Sequence, residues 1–246
     1  MWRDSAVQMA GIYKGRLSSQ ADYNHSADIL NAIILKGEKF GIFGPNGAGK
    51  TTLISMMCGI LQPTSGEVMY CIDGERLNAR SALQYIGYVP QDFAFYPELT
   101  AGQNLTYFGK MYGLPTGVLN EQIDCLLEKL GLFHVKNKKV MTFSGGMKRR
   151  MNLAIGILNE PEILFLDEPT VGVDVQSKHA IIQLLEELNK NGTSILYTSH
   201  HLKEAEDFCN RIALIDKGQI IGLGTLESLT AQHRAANLEE LLIGLT

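Results

Sequence analysis

Residues 44–51 read Gly-Pro-Asn-Gly-Ala-Gly-Lys-Thr, and no other stretch restricts the fold of this chain so tightly. The glycines leave the backbone free to turn successive N–H groups inward around an anion. A short apolar run, residues 39–43, reads as a buried strand before the loop, and residues 53–58 read as a helix after it, closed by Gly59 as its C′ residue. Strand, glycine-rich turn and helix N-terminus together make a phosphate cradle: amides face the ligand and the helix end adds partial positive charge. The pattern G-x-x-x-x-G-K-[ST] adds a lysine for the β- and γ-phosphates and a hydroxyl for Mg²⁺. It predicts a nucleoside triphosphate held by Gly44, Pro45, Asn46, Gly47, Ala48, Gly49, Lys50, Thr51 and Thr52.

The rest of the chain supplies a frame for such a loop. Val7 and Met9, then Ile29, Ala32 and Ile34, predict two strands on either side of a polar connection at 18–27. Val68, Tyr70 and Ile72 alternate ahead of an Asp73-Gly74 turn, a hairpin signal. From about 100 to 160 the pattern turns helical, with Ile123, Leu126, Leu127 and Leu130 on one face and Gly131 as a stop. Three apolar runs follow Pro161, at 163–166, 195–198 and 212–215. Between the first two lies a helix with Ile181, Leu184, Leu185 and Leu188 on one face, ended by Gly192. Strands alternating with crossover helices predict an α/β core with a parallel sheet, interrupted by a helical insertion.

A second site of chemistry lies at Asp167-Glu168, two acids at the end of the apolar run 163–166. Acids at the carboxyl edge of a buried strand face the crevice where open α/β sheets bind ligands. Asp167 is placed to hold Mg²⁺ through water, and Glu168 to take the proton from an attacking water.

Ser144-Gly145-Gly146, in the run Thr142-Phe-Ser-Gly-Gly-Met-Lys-Arg-Arg150, decides among nucleotide-binding families. Its position about 20 residues ahead of the acid pair resembles the signature of ABC-type ATPases. Gln91 in Tyr88-Val-Pro-Gln-Asp92 resembles the family's Q-loop, Asp174 in Val171-Gly-Val-Asp174 its D-loop, and His200 in Thr198-Ser-His200 its switch histidine. With Pro45-Asn46 in the phosphate loop, the motifs cover about residues 30–225. The resemblance implies a P-loop NTPase (RecA-like) core with a mostly parallel sheet, an N-terminal antiparallel β-subdomain and an inserted α-helical subdomain at about 92–160. On this reading the ATP-binding domain spans 1–224, and 225–246 form a short helical tail. The resemblance also implies a head-to-tail dimer with two ATP at its interface. Ser144, Gly145 and Gly146 open a helix, and would reach the γ-phosphate of ATP held by the second subunit. The resemblance puts Gln91 on the metal, alongside Thr51 and Asp167, and His200 on the γ-phosphate, where it helps position the attacking water; it counts Asp174 among the nucleotide-binding residues. An aromatic stacks on adenine, with Tyr13 and Tyr23 the candidates and Tyr13 preferred.

The branch follows from smaller features. Lys50 and Ser144 are separated by 94 positions without sustained heptads, so the chain is not of the chromosome-maintenance type. One cassette, not two, sets it apart from translation-factor relatives. Phe93, Phe95 and Tyr96 sit where the family docks a membrane permease subunit. Met147-Lys148-Arg149-Arg150 and the tail resemble the branch that powers separate exporter permeases for drugs, lipids and polysaccharides. In that tail Asn237 caps a helix with Glu240 at N3 and Leu238, Leu241, Leu242 and Leu245 on one face. The alternatives are a soluble ABC-type ATPase in assembly or translation, and a small-molecule P-loop kinase, which has no use for the Ser-Gly-Gly element.

Composition agrees with this division of labour. The 246 residues are 45% hydrophobic, with 22 Lys and Arg against 26 Asp and Glu for a net charge of −4, which argues against nucleic acid as partner. No run approaches the roughly 18 to 20 apolar residues a membrane span needs. The N-terminus carries no secretion signal, and the four cysteines lie far apart, as suits a reducing compartment. The expected location is cytoplasmic, peripheral on the cytoplasmic face of the cell membrane.

Overall fold

The computed structural model describes residues 5–13, 32–200 and 202–245. In chain order the strands are β1 (Ser5–Tyr13), β2 (Ala32–Leu35), β3 (Lys39–Phe43), β4 (Ser65–Ile72), β5 (Glu75–Asn78), β6 (Ile86–Val89), β7 (Ile163–Asp167), β8 (Ser194–Thr198), β9 (Arg211–Asp216) and β10 (Gln219–Gly224). The helices are α1 (Lys50–Met57), α2 (Ala101–Met111), α3 (Thr116–Lys129), α4 (Gly145–Ile157), α5 (Val175–Lys190), α6 (Leu202–Phe208), α7 (Leu226–His233) and α8 (Leu238–Leu245). They fall into two compact units, residues 1–83 with 194–246, and residues 84–193.

The first unit carries two sheets. In the antiparallel one the order is β2-β1-β4-β5, closed by the predicted Asp73-Gly74 hairpin with φ of 51° and 81°, the positive angles of a type I′ turn. In the other, β3 lies between β8 and β9, parallel to both, and β10 pairs antiparallel to β9. Strands covered on both faces read as continuous apolar runs, and β8 is buried along its whole length. Ile42 is level with Thr198, and Phe43 with Leu214, so the carboxyl ends of these strands share one edge. The tail is part of this unit. Leu238 and Leu241 of α8 are buried, and the Leu238 N–H donates to Glu206 of α6 at 2.9 Å.

The second unit is built on the parallel pair β6–β7, with Val89 level with Leu166. Helix α4 packs on β6 through a glycine pair: a Cβ on Gly87 would lie 2.2 Å from the Gly156 carbonyl oxygen, and one on Gly156 would lie 2.5 Å from Val89 Cγ2. Helix α2 opens with a full capping box, Thr100 with Gln103. Asn104, fully buried, braces the preceding turn by accepting from the Tyr96 N–H at 2.8 Å and donating to the carbonyls of Tyr96 and Thr100. The apolar stripe of α3 buries Ile123 and Leu127, and Gly131 follows with φ of 64°. No described helix is long and apolar enough to cross a membrane.

Candidate functional site

The loop at 44–51 joins β3 to α1 at the carboxyl edge of its sheet. Gly44 permits it: a Cβ there would lie 2.0 Å from the carbonyl oxygen of Ile215 on β9. Gly47 and Gly49 have φ of 83° and 102°, which L side chains rarely adopt. Lys50 folds back across the loop, its Nζ donating to the carbonyls of Gly44 at 2.8 Å and Pro45 at 3.1 Å, and it is only 7% exposed. Its ammonium is therefore fixed over the loop. Pro45, Asn46 and Gly47 are exposed, Ala48 is buried, and Thr51 and Thr52 lie exposed on the first turn of α1. That helix has no side-chain cap and no acidic residue in its first turn. Its leading N–H groups thus keep the affinity for anions that a capping side chain would take up. His200 follows β8 beyond the buried Ser199, and is exposed at the edge where β3 ends in the phosphate loop.

The second unit brings together Gln91, Asp167 and Glu168 on the neighbouring ends of β6 and β7. Asp167 is 1% exposed and Glu168 7%. Glu168 adopts φ of 51°, a costly conformation for a non-glycine residue, and its Oε2 accepts from Gln91 Nε2 at 3.3 Å.

Ser144 caps α4, its hydroxyl accepting from the Met147 N–H at 3.3 Å. Gly145 and Gly146 follow on the first turn, while Phe143 is buried. Asp174 caps α5, accepting from the Ser177 N–H at 2.9 Å and the Ser177 hydroxyl at 2.8 Å. Those two bonds hold its carboxyl below the usual carboxylate range. The two helix starts meet at Gly146, where a Cβ would lie 2.3 Å from Ser177 Oγ and 2.6 Å from Asp174 Oδ2. The structure thus brings the signature and D-loop motifs together, which sequence spacing alone does not reveal.

Tyr13 ends β1 opposite Ser65 of β4; Tyr23 lies outside the described residues, as does His201 beside the switch histidine. Two residues to which the sequence reading gave no role at the site also belong here. Arg149 and Asn152, both on α4 and both buried, bond to the segment around Gln91. Their signal in the sequence was a basic and polar run just after the glycine pair, which looks the same as a solvated helix face.

A strand ending in a phosphate loop, a buried acid pair and a serine-capped signature helix define an ATPase domain of the ABC type. The ABC transporter family model matches residues 28–171, and the chain belongs to that family. Among curated relatives, the linearmycin resistance ATP-binding protein LnrL of Bacillus subtilis is 46% identical over 200 residues, 80% of this chain. The chain spans 63% of that relative's length. Nod factor export ATP-binding protein I of Paraburkholderia xenovorans is 37% identical over 87% of this chain and 70% of the relative. Among solved structures, an ATP-binding subunit of an ABC transporter superposes with a TM-score of 0.83 at 27% identity, covering 98% of this chain and 99% of that one. A dimeric ATP-binding cassette in a post-hydrolysis state, bound to ADP and Pi, gives 0.75 at 26% identity over 89% and 98%.

Proposed function

We propose that this chain is the ATP-hydrolysing subunit of a membrane exporter, working as a pair of cassettes around two ATP and driving a separate permease. The observation that carries the reading is the phosphate loop itself: an uncapped helix N-terminus, with Lys50 already held across the loop at 2.8 and 3.1 Å from two of its carbonyls. Gly44 to Thr52 would grip the triphosphate, and Tyr13 is the residue proposed to stack on adenine. Glu168 would accept the proton of the attacking water, with Gln91 as its hydrogen-bonding neighbour and His200 turned to the γ-phosphate. Ser144, Gly145 and Gly146, at an anion-attracting helix start, would complete the site of the second subunit, beside Asp174.

Mg²⁺ fits the donors available. Thr51 offers a hydroxyl, Asp167 a buried carboxylate, and Gln91 an amide oxygen left available because its Nε2 faces Glu168. All are the hard oxygen ligands that this ion selects. When bound, the ion neutralises charge on the β- and γ-phosphates.

Export, as distinct from import, is supported by the relatives named for linearmycin resistance and Nod factor export. A permease partner is supported by exposed aromatics beyond Gln91. Phe93 and Tyr96 are 43% and 45% exposed, and Phe93 stacks on Phe95 with ring centroids 5.3 Å apart. Through that partner the chain would sit at the cytoplasmic face of the membrane.

Glu168→Gln tests the reading in one preparation. Expected with ATP and Mg²⁺ is a stable dimer by light scattering, no phosphate release, and a multi-span membrane protein in the pull-down from cells. A variant that stays monomeric with ATP overturns the paired-cassette mechanism. A dimer that brings down no membrane protein overturns the permease.

A further inference from the structure

The segment 90–94, which carries Gln91, is bonded at three points by one helix. Asn152 of α4 donates through Nδ2 to the Pro90 carbonyl at 2.9 Å and accepts at Oδ1 from the Ala94 N–H at 3.0 Å. Between those two anchors Arg149, one turn earlier on α4, donates through Nη1 to the Gln91 carbonyl at 2.7 Å. Its guanidinium also lies 4.9 Å from the centroid of the Phe93 ring. Residues three apart on a helix share a face, so a single face of α4 grips this loop at both ends and in the middle.

Burying a cation against a carbonyl and a ring is costly. Arg149 is 6% exposed, and its Nε has no hydrogen-bond partner. Burial lowers its pKa, while the carboxylates of Glu168, Asp92 and Asp167 oppose that shift and favour the charged form. A neutral helix-face residue would have avoided the cost. Arginine provides what lysine lacks here, a planar head that can bond a carbonyl edge-on and stack on an aromatic ring at once.

The bonds form a chain that ends on Glu168. Arg149 fixes the main chain of Gln91, and Gln91 Nε2 bonds Glu168 Oε2. We infer that Arg149 is a positioning residue for ATP hydrolysis, acting through Gln91 to set the orientation of Glu168, with Asn152 holding the two ends of the same loop. The inference rests on the proposed assignment of Glu168 as the group that activates water. Because Arg149 and the Ser144–Gly146 cradle share α4, the clamp also ties the loop at Gln91 to the element that would contact the second subunit's nucleotide.

Steady-state hydrolysis by the full chain tests this, with nucleotide affinity measured separately by a fluorescent ATP analogue. Arg149→Ala is expected to lower kcat about 10- to 100-fold, the scale of a small misplacement at a reacting centre, with KM and nucleotide affinity unchanged. Combined with Gln91→Ala, it should slow the enzyme no further than Gln91→Ala alone, because both act through one bond. Lys129→Ala, whose exposed side chain pairs with Glu187 and touches none of these groups, should leave kcat unchanged. Arg149→Lys keeps the buried charge and carries the same test where the alanine variant fails to fold. Independent losses in the double variant, or a rise in KM at constant kcat, overturn the inference. A wild-type chain that turns over no ATP overturns the hydrolysis reading, and the inference with it.

Discussion

Gly145 and Gly146 look alike in the sequence, yet their surroundings differ sharply. A Cβ on Gly145 would have the Gly172 carbonyl oxygen as its nearest neighbour, at an ordinary 3.7 Å. One on Gly146 would drive into Ser177 and Asp174 at 2.3 and 2.6 Å, two atoms already locked to each other by a hydrogen bond. Gly146→Ala is therefore expected to lose about 1–3 kcal/mol through overpacking of the two helix starts. Gly145→Ala should stay within about 0.5 kcal/mol of wild type. Urea denaturation midpoints of the two variants check this, and equal midpoints would show that the helix starts can separate at no cost. The same scale shows what sequence reading reaches. Gly44, Lys50, Asp167 and Glu168, proposed for the site, stand out in the sequence because the chemistry proposed for them needs fixed residue types at fixed spacing. Arg149 and Asn152 do not, because nothing in a helical run of polar residues tells which face meets a loop almost 60 positions away.

At the level of elements, three helix N-termini carry the proposed functional groups, and they are finished differently. Helix α1 is left uncapped, α4 is capped by Ser144 and α5 by Asp174. An uncapped start leaves its leading N–H groups to a ligand that supplies negative charge; a capping side chain takes up one of them, as Ser144 does with the Met147 N–H, and steadies the turn. Asp174 gives that distinction a pH signature. Its folded pKa is lowered by the Ser177 N–H and hydroxyl, so its contribution to stability is complete above the unfolded value of about 4. It is lost as pH falls through the lowered folded value. The stability gap between wild type and Asp174→Ala should be constant from neutral pH down to that range, then close as the solution becomes more acidic. Urea midpoints taken across the acid range read this directly, and a gap that persists at the acid end would assign the stabilisation to something other than the ionised cap. The elements themselves were largely readable beforehand: the stripe of α3, the glycine stops at 59, 131 and 192, and the hairpin at 73–74 all rest on local signals. Strand order was not. That β1 lies between β2 and β4, and β3 between β8 and β9, is decided by contacts between segments far apart in the chain.

Across the whole molecule, the two units divide the proposed chemistry. The phosphate loop and His200 belong to one, and the acid pair, Gln91, the signature and Asp174 belong to the other. The tail is assigned to the first. Its helix α8 packs on α6 and α7, and its first N–H is capped by Glu206 of α6, the helix that begins two residues after His200. Leu238 is fully buried in that contact. Leu238→Ala should cost about 2–5 kcal/mol, the range for emptying a core leucine site, and the loss should be local because the contact is. Hydrogen exchange is the measurement. Amides of α6, α7 and α8 should exchange faster, and those of α4 and α5 in the other unit should keep wild-type protection. If protection falls equally in α4 and α5, the molecule unfolds as a single cooperative body and the tail is a support for all of it. If α6 alone keeps its protection, the tail is not what steadies the helix that follows His200. The expected pattern instead makes α8 a brace specific to the unit that holds the phosphate loop, next to His200, the residue proposed to face the γ-phosphate.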